Sequence, residues 1–169
     1  MSVYASVEEL AAVAINGWEE LAQFASRNPD VTGVLLEARY RGENTDDEQS
    51  AKDDADTALD QLENLLSAVS RYADTYLNQR YRDLVPLAQQ YYENTGLPYA
   101  VAVIALGRIY GLKQDDDMRK TIKAQEDYLR DLASGKASLD YTQPTTPDEP
   151  GRMTVSSRPS AFDMTGYDS

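Results

Sequence analysis

Between Leu59 and Leu77 apolar side chains return at alternating steps of three and four: Leu59, Leu62, Leu66, Val69, Ala73 and Tyr76, with Leu65, Tyr72 and Leu77 widening the stripe. This period is that of an α-helix, in which residues three and four apart share a face. A cap at Asp56 or Thr57 and an end near Arg80 predict a helix of about 24 residues, about 36 Å long at 1.5 Å per residue. A rod of that length cannot cover its own stripe, so the rest of the chain must supply elements that pack along it. The expected fold class is all-α, a small helical bundle built on one long helix.

The flanking segments read the same way. Ser6 and Glu9 stand in capping-box spacing just before Leu10, Val13 and Ala14, which starts a first helix. Asn16-Gly17 interrupts it, Trp18, Leu21, Ala22 and Ala25 resume the period, and Asn28-Pro29 ends the second. Residues 31–40 fit no single pattern. From Gly42 to Asp56, within a loop expected at about 41–56, the chain carries Glu43, Asp46, Asp47, Glu48, Asp53, Asp54 and Asp56 against the single base Lys52. Such self-repelling sequence reads as a solvated loop; a cation site is the sharper alternative, although EF-hand spacing is missing.

Beyond the long helix, Tyr81 to Leu87 leaves helical geometry, with Pro86 restricting Val85. Pro98 suits a first helical turn, and the helix it opens, to Tyr110, is apolar on every side, which marks the most enclosed element. Gly111 stops it. Asp115, Asp116 and Asp117 then begin a last helix, closed by Gly135-Lys136, with Met118, Ile122, Leu129, Leu132 and Ala133 inward. Its other face carries Arg119, Lys120, Lys123 and Arg130 among Glu126, Asp127 and Asp131. Those charges read either as a salt-laced solvent face or as a contact for an acidic neighbour.

Composition removes most chemistry. The 169 residues include no His and no Cys, which excludes a Ser-His-Asp relay, a thiol nucleophile, a zinc site with the usual ligands and an imidazole switch. The nine glycines never reach phosphate-loop spacing, and no carboxylate pair stands out as an acid and base. The chain is therefore read as non-enzymatic, with no catalytic residue, cofactor or metal. A net charge of −13 argues against specific nucleic-acid binding, which needs clustered Lys and Arg. The longest purely apolar run, Ala100 to Leu106, falls short of the about 20 residues of a membrane span, and the start lacks a signal-peptide pattern. A protein made in a cytoplasm, or in a particle assembled there, is expected.

Two domains of behaviour follow: a bundle over 1–139 and, over 140–169, an extended Pro/Ser/Thr-rich arm on which Met153, Val155, Phe162, Met164 and Tyr167 are the apolar anchors. Isolated anchors on polar sequence suit docking in extended form on another subunit. Twelve tyrosines, among them Tyr72, Tyr76, Tyr81, Tyr91, Tyr92, Tyr99 and Tyr110, suit half-buried positions at core edges and subunit contacts.

The order of segments resembles the Mu-like tailed-phage head-completion and neck adaptor proteins. The similar stretches are V-Y-A-S-V-E-E-L at Val3 to Leu10, Y-L-N-Q-R-Y at Tyr76 to Tyr81 followed by V-P-L, and the apolar helix after Leu97-Pro98. Y-L-R-D-L-A-S-G-K-A-S-L at Tyr128 to Leu139 and the ending P-S-A-F-D-M-T-G-Y complete them. The stretches at about Pro29 to Ala55 and Ala88 to Gly96 are longer than that pattern. The resemblance implies a virion protein that joins head to tail, a homo-oligomeric ring of about twelve copies docked on the portal protein and contacting the next neck or tail-completion protein.

On that reading the contact surface of the bundle is expected at Tyr72, Tyr76, Arg80, Tyr81, Arg119, Lys123 and Arg130. DNA would pass through the ring without binding, since an acidic lining repels phosphate. The competing reading is an acidic helical regulator that mimics DNA on a basic partner.

Overall fold

The computed structural model describes residues 3–139, and Met153, Val155, Phe162, Met164 and Tyr167 lie outside them. Six α-helices follow in chain order: α1 (Val7–Val13), α2 (Trp18–Ala25), α3 (Gly33–Tyr40), α4 (Gln49–Leu77), α5 (Leu97–Tyr110) and α6 (Asp116–Ser134). Two single 3₁₀ turns, Gln89–Tyr91 and Gly111–Lys113, complete the secondary structure, and no strand occurs among the described residues. The protein is all-α.

The local signals act where expected. Ser6 Oγ accepts from Glu9 N at 3.1 Å, while Glu9 Oε2 accepts from Ser6 N at 2.7 Å, a reciprocal box that satisfies two N–H groups at the start of α1. Gly17, at φ 57°, makes the corner into α2 in a region that L side chains rarely enter. Asp115 caps α6 by accepting from Met118 N at 2.7 Å, and Gly135 ends it in the left-handed conformation.

The spine is α4, 29 residues and so about 43 Å long. It begins at Gln49, about two turns earlier than a cap at Asp56 or Thr57 requires, which corrects the loop reading for 49–56, while 41–48 is non-helical as expected. Residues 49–56 are helical because their apolar side is made of Ala51 and Ala55, both buried, on which α2 and α3 can approach closely. Their acids are occupied as well. Asp56 takes a bidentate pair from Arg39 of α3, Nε to Oδ1 at 2.8 Å and Nη2 to Oδ2 at 2.6 Å, and Asp54 Oδ2 accepts from Asn28 Nδ2 at 2.7 Å. No group of three or more acidic side chains converges as a metal cage requires among the described residues.

Residues 31–40, ambiguous in sequence, form α3. Thr32 Oγ1 accepts from Leu35 N at 3.2 Å, and Glu19 Oε2 of α2 accepts from Gly33 N at 2.7 Å, so the start of α3 sits against the first turn of α2. Trp18 and Tyr40 close this corner with ring centroids 5.2 Å apart. Only glycine fits at position 33: a Cβ there would lie 2.6 Å from Glu19 Cα and 2.8 Å from the Trp18 carbonyl carbon, both backbone atoms that cannot swing away.

Helix α5, apolar but for Arg108 near its end, is enclosed by α1, α4 and α6, with Leu97 to Gly107 buried except for Tyr99. On α6 only Leu129 and Leu132 are buried; Met118 and Ile122 are half-buried, so the N-terminal half of α6 overhangs the core. No helix among the described residues is long and apolar enough to cross a membrane.

Two outcomes check this packing. Gly33→Ala forces α2 and α3 apart and should cost about 3 kcal/mol in denaturant unfolding. The Arg39 guanidinium holds the Asp56 carboxyl below its ordinary value of 3.8. A depressed acid contributes stability that is present above the unfolded value and lost as pH falls through the folded one. Asp56→Asn should therefore lower Tm at pH 7 and leave the two proteins alike near pH 2.

Candidate assembly surfaces

The contact residues expected from sequence divide into three groups in space. Tyr72 and Tyr76, one turn apart on α4 and both half-buried, bond through their hydroxyls at 2.8 Å and pack edge to face with centroids 5.2 Å apart. The Arg108 guanidinium of α5 lies 5.1 Å from the Tyr72 ring centroid, a cation–π distance. Glu126 of α6 adds a nearby negative charge. Arg130, one turn further on, pairs with Asp127 and, at 3.6 Å, with Glu126. Three expected residues thus join a ridge of alternating rings and charges where α4, α5 and α6 meet.

The hydroxyl of Tyr72 is pushed up to about 12, first by its bond to Tyr76, then by burial and the charge of Glu126. Tyr72 therefore keeps its proton at any physiological pH.

Arg80 and Tyr81 work within the chain. Arg80 Nη1 donates to the Ala137 carbonyl at 3.0 Å, and its guanidinium sits 5.5 Å from the Tyr81 ring centroid. Tyr81 Oη accepts from Leu139 N at 3.3 Å. Together they fasten the residues after α6 to the end of the spine. The third group, Arg119 and Lys123, is exposed on the overhanging half of α6. Arg119 pairs with its own Asp116 at 3.5 Å.

Sequence reasoning missed Arg108, whose signal was available as the one charge on an otherwise apolar helix. It also missed the role of Tyr4, which gave none. Two of the other tyrosines serve the fold: Tyr110 donates to the buried Glu20, and Tyr92 Oη donates to the Val3 carbonyl at 3.1 Å. Tyr99 alone of those singled out is more than half exposed, at 52%.

Comparison with known proteins adds a family. Residues 4–157 match the family model described as Bacteriophage Mu, Gp36, so nearly the whole chain is covered and the chain belongs to that family. No curated protein and no solved structure matches it.

The ridge has a direct spectroscopic check. Replacing Tyr76 by Phe removes the first cause of the Tyr72 shift, so Tyr72 should titrate closer to its ordinary value of 10.0, read by NMR of ring-labelled tyrosine.

Proposed function

From membership in a phage family, we propose that this chain is a structural protein of a tailed-phage particle, a neck adaptor that joins head to tail as a ring on the portal. The match over residues 4–157 carries the reading, and the physical features support it. The buried polar residues Glu20 and Ser70 take part in hydrogen bonds that hold segments of the bundle together, with Tyr110 and with the Tyr4 N–H. A ring requires two different surfaces on each copy that close head to tail. The overhanging half of α6 and the Tyr72–Arg108–Arg130 ridge offer one of them.

Charge shapes the rest of the proposal. Copies that each carry −13 repel at a distance, so a stable contact must set bases of one copy on acids of the next. The bases of α6, Arg119, Lys120, Lys123 and Arg130, are the group placed to do that. The remaining acidic excess would let duplex DNA pass without adhering. The portal and the next neck component are the partners this role requires. The alternative, an acidic mimic of DNA, rests on net charge alone and needs no self-contact.

Size-exclusion chromatography with light scattering separates the two. The adaptor reading expects species larger than monomer for the isolated protein or for its mixture with portal protein; monomer in both overturns it. Isolated protein should also leave duplex DNA unshifted at physiological salt.

A further inference from the structure

A groove of about 660 Å³ opens between the start of the chain, α4 and the start of α5. Val3, Tyr40, Tyr92 and Pro98 supply apolar surface, and Val3 remains 39% exposed. The rim is acidic: Glu8, Glu9, Glu63 and Glu93, with no Lys or Arg among the lining residues. Glu9 is engaged in the α1 capping box and Glu8 lies 4.0 Å from Arg41, which leaves Glu63 and Glu93 as exposed carboxylates outside any ion pair among the described residues. The Tyr92 hydroxyl registers the local field, being raised by burial and then by Glu9 and Glu93. An apolar floor under uncompensated negative charge calls for a segment that is both apolar and basic.

The chain contains such a segment. Past Leu139 the only bases are Arg152 and Arg158, and between Glu149 and Asp163 there is no acid. Gly151 to Arg158 reads G-R-M-T-V-S-S-R. In extended form Met153 and Val155 share a face, while Arg152 and Arg158, about 20 Å apart at 3.3 Å per residue, leave from the opposite face before and after them, where long side chains over an apolar stem can bend to a rim. Two apolar side chains flanked by two cations are the complement of the groove.

We propose that the acid-rimmed groove of one copy receives the Gly151–Arg158 segment of a second copy, with Met153 and Val155 on the apolar floor and Arg152 and Arg158 at Glu63 and Glu93. This deepens the adaptor reading and rests on it, since it names a contact that closes the ring. A neighbour is taken as the donor because a ring is closed by contacts between copies. Gly151 stands twelve positions after Leu139, about 40 Å when extended, and Leu139 is fastened to Tyr81 beyond the end of α4, so an engineered link separates a neighbouring donor from the same chain. The groove's α4 residues, Glu63 and Leu66, lie about 20 Å back along that helix.

The chain has no cysteine, so an engineered pair forms the only disulfide available. The full-length double variant Glu93→Cys, Arg158→Cys, which places a thiol on each side of one assigned pair, oxidised alone and with portal protein, should give a ladder of linked copies on a non-reducing gel, while each single variant gives at most dimer. A monomer-sized internal link overturns the proposal by making the chain its own donor. Absence of any link in material that light scattering shows to be oligomeric also overturns it, and leaves the adaptor reading intact. Monomer under all conditions removes both. Charge reversal supplies a second reading: Glu63→Lys with Glu93→Lys should weaken self-association about tenfold. Adding Arg152→Glu and Arg158→Glu to the same chain should restore it, and failure of that rescue counts against the assigned pairing.

Discussion

The structure depends most on one hydroxyl. Tyr4 is 1% exposed, and its phenol donates to Asp74 on the spine while accepting from Leu87 N at 3.0 Å in the turn after it. Its own N–H donates to the buried Ser70 Oγ at 3.0 Å. Three segments far apart in sequence are joined at a site where an unsatisfied polar group would carry its full desolvation penalty. Burial and the Asp74 carboxylate both hold the Tyr4 proton in place. Burial raises the Asp74 carboxyl, and the phenol draws it back down. The first helix can lie along α4 and α5 because this anchor fixes where the chain enters.

Features that rest on neighbours in sequence are legible from the sequence alone. The Ser6–Glu9 box, the Gly17 corner, the Asp115 cap and the enclosed α5 each depend on residues within a turn or two. The start of α4 is not legible in that way, because Asp53, Asp54 and Asp56 have the composition of a solvated loop. Their helical placement is made favourable by Asn28 and Arg39, 26 and 17 residues away from their partners. The third helix is hidden for a related reason: Val34 is 78% exposed and Arg39 faces an acid, so its apolar stripe is diluted by residues whose roles are set by α2 and α4.

The assembly residues show the same division. Spacing puts Tyr72 and Tyr76 on one face, and that pair forms. Which cation lies over it depends on how α5 crosses α4, and the answer is Arg108, not a residue of the last helix. Arg80 and Tyr81 have the sequence pattern of contact residues, yet their partners are Ala137 and Leu139, more than fifty positions downstream. A single sequence read by period and composition finds faces; it does not find which distant segment fills them.

The corner between the second and third helices has an optical consequence. Trp18 is the chain's single tryptophan, and it stands against Tyr40 where glycine lets two backbones touch. Indole emission from this protein therefore reports on that one junction. Phenolic absorbance is spread over the rest of the bundle, so loosening of the junction and loss of the remaining core carry different colours of signal.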